Sequence, residues 1–133
     1  MKRVVVASAL LAVCTQGPGA GLACGKMRGG VMSAVSYAEL LLLAASHAKQ
    51  DIARAIVATA EIAVIPFDAQ FAVDATGCFE IPTPDDISLA DRSSLYLATC
   101  ESLPLLTGNP RLTELDVGIE FELVQTMVNL SGE

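Results

Sequence analysis

The sequence predicts an α/β domain, a parallel sheet covered by helices on both faces in a three-layer α/β/α sandwich. Short β-branched or apolar runs alternate with longer runs of helical character, the pattern of strand–helix–strand units. The chain is also 53% hydrophobic and only 17% charged, with a mean hydropathy of +0.54. That composition suits strands buried on both sides and excludes a disordered chain. At 133 residues it makes a single domain, residues 1–133, large enough to bury a substantial core. No internal repeat, low-complexity tract or linker divides it.

Val4-Val5-Val6 is β-branched and follows a basic start, so it predicts the first strand. Ala7 to Val13 reads as a helix with Ser8 near its first turn. Gln16-Gly17-Pro18-Gly19 is a turn. Ala20 to Arg28 is a second helix, in which Gly21 and Gly25 each cost about 1 kcal/mol relative to Ala, and Gly29-Gly30 ends it. Val31 to Ala34 is a second strand. Ser36 is placed to cap a helix running to about His47. Leu40-Leu41-Leu42-Leu43 makes that helix apolar nearly all round, which predicts deep burial or an interface. A further helix covers about Gln50 to Ala60, and Ile62 to Pro66 is a third strand. Asp68 caps a helix to about Thr76, ended by Gly77. Pro82, Pro84, Asp85 and Asp86 mark Glu80 to Ser88 as a loop. Leu89 to Glu101 is a strong helix and Leu105-Leu106-Thr107 a fourth strand. Gly108-Asn109-Pro110 is a turn, Arg111 to Leu115 a helical turn, and Ile119 to Val124 the fifth strand. The segment from Gln125 to Glu133 is ambiguous between helix, strand and coil.

The net charge of −7 argues against indiscriminate nucleic-acid binding. The charge is uneven: residues 1–60 carry six basic and two acidic groups, residues 61–133 two basic and thirteen acidic. A basic face of Lys26, Arg28, Lys49 and Arg54 is one reading of the first part, and a solvated surface is the plainer one. Cys14, Cys24, Cys78 and Cys100 include no C-x-x-C pair, and His47 is not near them in sequence. Structural zinc is not expected, and the plain reading is reduced, buried thiols in a cytosolic protein. His47 is expected to be structural, at a helix end where a cation is favoured. Met1-Lys2-Arg3 followed by apolar Val4 to Cys14 also has the form of a secretory leader, with a cleavage position after Gly21-Leu22-Ala23. This run of eleven residues is too short to span a bilayer.

Two acids stand out. Glu39 lies in Ser33-Ala-Val-Ser-Tyr-Ala-Glu39 and Asp91 in Ser88-Leu-Ala-Asp91-Arg92, each near the start of a helical run that follows a strand or loop. Acids at helix N-terminal turns are ordinary, worth about 0.3–1 kcal/mol each. Acids so placed also converge over the end of a parallel sheet, where a hard cation binds.

Several segments, taken in order, resemble the PIN-domain family, including the VapC ribonuclease toxins of type II toxin–antitoxin pairs. Val4 to Val13 is similar to the family's opening strand and helix, and Ser33 to Glu39 to its second-strand and helix signature. Ile65-Pro66-Phe67-Asp68-Ala69 resembles the segment after the fourth helix. Ile87 to Arg92 resembles the loop and helix start that carry the third acid, and Leu105 to Asn109 the fourth-strand signature. The resemblance covers about residues 3–125. It implies a five-stranded parallel sheet sandwiched by helices. It also implies a Mg²⁺- or Mn²⁺-dependent ribonuclease whose acids hold the cations that activate water against an RNA phosphodiester.

Carried over by position, Glu39 and Asp91 match the second and third family acids, and Ser8 and Thr107 match hydroxyls that order the site. The first acid falls at Val6, which cannot bind metal, and the fourth at Asn109, which offers an oxygen without charge. Asp85 and Asp86, in the loop before Asp91, are the candidates to stand in for a lost acid. Arg92 is a partner for Asp91 or a contact for RNA. Weak metal binding and reduced or absent cleavage are the expectation, since affinity falls as charged ligands are lost. The resemblance further implies a cytoplasmic protein with no membrane association, a homodimer, a VapB-like antitoxin as partner and RNA as substrate. A catalytically degenerate protein that acts by binding antitoxin, a relative or RNA is the alternative, and a secreted protein with a cleaved leader is a third reading.

Overall fold

The computed structural model describes residues 2–15, 20–78 and 87–124. Among them, five strands form one all-parallel sheet in the order β3-β2-β1-β4-β5. The strands are β1 (Val4–Val5), β2 (Val31–Ser33), β3 (Ala63–Ile65), β4 (Leu105–Thr107) and β5 (Phe121–Leu123). The helices are α1 (Ala7–Cys14), α2 (Ala20–Met27), α3 (Ala34–Ala45), α4 (Gln50–Thr59), α5 (Ala69–Gly77) and α6 (Leu89–Glu101), with a single 3₁₀ turn over Leu112–Glu114.

Alternation along the strands separates the two faces. Val5, Met32 and Leu106 pack with Leu10, Met27, Leu40 and Val57 from the first four helices. Val4, Val6, Val31 and Leu105 pack on the other face with Ile87, Leu95, Ala98 and Leu112. The result is the three-layer α/β/α sandwich predicted from the sequence. Right-handed crossovers account for the division, because the chain moves one way across the sheet from β1 to β3 and the other way from β4 to β5. The direction reverses beside β1, so the connections leaving β1 and β4 go to opposite faces, the position at which a crevice is expected in such a sheet.

The structure corrects several local expectations. Ser33, not Ser36, caps α3, its side chain accepting a hydrogen bond from the Ser36 N–H at 3.1 Å. The helix begins three residues earlier than a cap at Ser36 would place it, because Ser33 ends β2 in an extended conformation. α3 is not buried all round: Ser36, Leu40 and Ala44 face inward, while Leu42 is 74% and Leu43 39% exposed. A single helix packed on one face buries a stripe, and four successive leucines cannot all lie on it. His47 lies in the exposed turn beyond α3. The cysteines are all free, but only Cys14 is buried; Cys24, Cys78 and Cys100 are exposed. Burial pushes the Cys14 thiol up, which keeps it protonated and inert.

The expected basic face is partly neutralised. Glu122 pairs with Arg3 at 2.6 Å and with Lys26 at 3.6 Å, and Arg54 faces Asp51 at 3.8 Å. The leader-like segment supplies the central strand and first helix, with Val4 and Val5 fully buried; cutting it away would delete the middle of the sheet. No helix among the described residues is long and apolar enough to cross a membrane.

Candidate functional site

The topology brings the sequence-predicted residues to one edge. Ser8 follows β1, Glu39 lies in the helix that leaves β2, and Thr107 and Asn109 end β4. Asp91 is in the first turn of α6, the helix that returns the chain to β4, so it sits at the same C-terminal edge. α3 and α6 come from opposite faces of the sheet and pack against each other there.

On the β1–β4 side the groups are tied into structure. The Ser8 and Thr107 hydroxyls lie 3.2 Å apart, bridging the crevice. The Gly108 N–H donates to Ser8 Oγ at 2.9 Å and the Asn109 N–H to Thr107 Oγ1 at 3.0 Å. Asn109 Oδ1 accepts from the Arg111 N–H at 3.1 Å, the bond of an Asx turn. Gly108 is required for this approach, since a Cβ there would meet the Ser8 carbonyl oxygen at 2.9 Å. Val6, where the resemblance places an acid, is 1% exposed and belongs to the second core cluster. Its carbonyl accepts from the Ala9 and Leu10 N–H groups as α1 begins, and its side chain gives that helix no cap.

On the α3–α6 side lie two half-buried carboxylates, Glu39 and Asp91, close enough for the Asp91 charge to act on Glu39. Burial pushes Glu39 above its ordinary pKa, and the neighbouring Asp91 charge pushes it further. Burial likewise raises Asp91, while hydrogen bonding with the side chain and backbone of Ser88 pulls the other way. Ser88 caps α6 by accepting from the Asp91 N–H at 3.0 Å. Serine and aspartate three apart at a helix start thus support each other in the manner of a capping box. Neither acid takes part in an ion pair among the described residues, and neither does Arg92, which lies half-buried beside Asp91 without bridging to it. Asp85 and Asp86 lie outside the described residues.

Beneath the acids is a feature the sequence reading missed. Ser33 and Ser36 of the α3 start and Ser93 and Ser94 of α6 are all fully buried. Ser33 Oγ lies 2.6 Å from Ser93 Oγ, and Ser36 Oγ lies 2.8 Å from Ser94 Oγ. The Ala90 carbonyl lies within hydrogen-bond distance of Ser93 Oγ at 2.7 Å, Ser94 Oγ at 3.0 Å and Ser36 Oγ at 3.3 Å. Each hydroxyl has one proton, so of Ser36 and Ser94 the one that donates to Ala90 accepts from the other. With Ser93 donating to Ala90, Ser33 donates to Ser93. Among the described residues no buried side-chain polar atom lacks a partner. The available signal was Ser33-x-x-Ser36 and Ser93-Ser94 standing at positions where two packed helices would ordinarily place alkyl groups.

The donor set fits one divalent cation. Mg²⁺ keeps several waters and is commonly held by one or two carboxylates. A half-buried carboxylate raised by a neighbouring carboxylate, with no basic partner among the described residues, is a place where a cation lowers the energy. The described residues contain no group of three or more His, Cys, Asp and Glu side chains suited to a metal, so the protein ligands among them number two at most and water would complete the shell.

No family model and no curated protein matches the sequence. Among solved structures, the fold is similar to that of a chain in a toxin–antitoxin complex from Klebsiella pneumoniae, with a TM-score of 0.68 at 16% identity. The alignment covers 88% of this chain and 94% of that one. At that identity the likeness is one of fold.

Proposed function

We propose that this chain is a PIN-type, VapC-like protein of a toxin–antitoxin pair, in which Glu39 and Asp91 hold one Mg²⁺ or Mn²⁺ weakly and RNA phosphodiesters are hydrolysed slowly. The observation that carries this reading is the pair of neighbouring, half-buried carboxylates with no cationic partner among the described residues, at the C-terminal edge of a parallel sheet. The fold likeness to a chain of a toxin–antitoxin complex supports it. When bound, the ion supplies an activated water and polarises a phosphoryl oxygen. The chain's own part is to hold the two acids at a common point. Ser8, Thr107 and Gly108 fix the opposite wall, and Arg92 is available to an RNA phosphate beside Asp91. The partner is a small VapB-like antitoxin that lays an apolar helix on the surface. The exposed Leu42 and Leu43 of α3 offer such a segment, or a second copy in a homodimer, a place to dock.

Purified protein incubated with tRNA and Mn²⁺ tests the reaction. Slow cleavage, lost in Glu39→Gln and in Asp91→Asn, is expected. Absence of cleavage at any protein concentration would sink the nuclease reading.

A second reading has its own observation. Val6 is sealed in the core and Asn109 Oδ1 is taken up by a turn, so two of the four positions for acids serve folding. On this reading the protein binds antitoxin, a relative or RNA without cutting. Val6→Asp combined with Asn109→Asp would then create Mg²⁺-dependent cleavage that the native chain lacks. Native cleavage equal to that of the double variant ends this reading.

A further inference from the structure

We infer that the buried serine network is a positioning device for the acid pair, and that Ser36 and Ser94 set the separation at which Glu39 and Asp91 face each other. The inference rests on the reading of those two acids as the residues that hold a cation.

Register carries the argument. Along α3, Ser33 lies opposite Ser93 and Ser36 lies opposite Ala90 and Ser94. Three residues further along α3, which packs on α6, is Glu39, and Asp91 in the first turn of α6 is near enough for its charge to act on it. Each acid is therefore one helical turn from a hydroxyl that crosses to the other helix. Glu39 follows Ser36 by three positions and Asp91 precedes Ser94 by three.

Hydroxyl contacts hold two helices differently from methyl contacts. The oxygens approach to 2.6 and 2.8 Å, whereas apolar carbons settle at about 3.5–4.0 Å. Hydrogen bonds are also directional, while packed methyl groups slide with little penalty. Four buried hydroxyls, each with a partner, favour one arrangement of α3 on α6 over its neighbours. A cation shared between acids on two separate helices needs that fixity, because a working site tolerates only about 0.5 Å of misplacement.

The test is the double variant Ser36→Ala plus Ser94→Ala, which removes both partners and leaves no orphaned hydroxyl between them. The metal-free crystal structure gives the Glu39–Asp91 carboxyl separation, and Mn²⁺ titration followed by electron paramagnetic resonance gives the affinity. A shift of about 0.5 Å or more in the separation is expected. Mn²⁺ affinity should fall about tenfold, the low end of what outer-shell partners contribute, with the far-UV spectrum retained. An unchanged separation, with Mn²⁺ affinity unaltered where Mn²⁺ binds, overturns the inference. If the native chain binds no Mn²⁺, the cation reading falls by itself and the metal-free separation alone decides the role of the serines. If the double variant does not fold, Ser94→Ala alone carries the same measurements, since Ser36 then still has the Ala90 carbonyl within reach.

Discussion

The crevice has two walls that treat polar groups in opposite ways. On the β1–β4 wall the hydroxyl and amide groups of Ser8, Thr107 and Asn109 are all engaged with backbone or with one another, and the remaining position is an alkyl group in the core. On the α3–α6 wall, Glu39 and Asp91 are both half-buried, burial raises both, the Asp91 charge raises Glu39 further, and they rest on a serine network in which every hydroxyl has a partner. Folding alone explains the first wall. It does not explain the second, because unpaired carboxylates at partial burial destabilise the native state at neutral pH. Groups that cost stability and are held in place by a built support are where a ligand is expected.

The largest test of this contrast is Val6→Asp. A carboxylate placed in the second core cluster should cost about 3 kcal/mol, roughly 10 °C in Tm. An aspartate at this N-cap returns about 1 kcal/mol of that at most. Millimolar Mn²⁺ should restore part of the loss if the new acid joins Glu39 and Asp91. A melt unchanged by the substitution would show that Val6 is not sealed from the crevice.

Ser33→Ala comes next. It removes the cap of α3 and a buried cross-helix partner together, so chemical denaturation should show a loss of about 2 kcal/mol. Ser88→Ala, an exposed cap, should lose only about 1 kcal/mol and should move the Asp91 carboxyl further up, because Ser88 is what pulls it down. Equal losses from the two would mean that the buried network carries no weight.

Mn²⁺ at ten times its dissociation constant should stabilise the native chain by about 1.4 kcal/mol. The same concentration should leave Asp91→Asn unaffected in differential scanning fluorimetry.

The smallest effect is the most specific. Both acids have native pKa values raised above their unfolded ones, so the native state binds the extra protons. The linked stability is present in full below about pH 4, the unfolded range, and is lost as pH rises through the raised native values. Glu39→Gln should therefore raise Tm slightly at pH 7 and lose that advantage in acid. A variant less stable than the native chain at pH 7 would break the contrast between the walls.

Much of this was legible in the residues. β-branched Val4-Val5 and apolar Leu105-Leu106 place two adjacent strands, and the Asp68 and Ser88 caps locate α5 and α6. Glu39 and Asp91 stand out because acids near the start of apolar helices converge at a sheet edge. The serine network did not, because serine by itself signals caps and turns and its meaning here comes from a partner 58 or 60 positions away. The exposure of Leu42 and Leu43 was hidden for a related reason: composition gives a helix's apolarity, while its orientation depends on which neighbour claims which stripe.

Gly108 has one more consequence. Its N–H meets Ser8 at a sequence separation of 100, and β4 is the strand that seals one flank of β1. During synthesis, β1 to β3 and the helix bearing Glu39 leave the ribosome well before that flank is closed. A nascent chain thus spends most of its elongation with an open sheet edge and no crevice. Any site at that edge of the sheet is in this way assembled only when the fold is nearly complete.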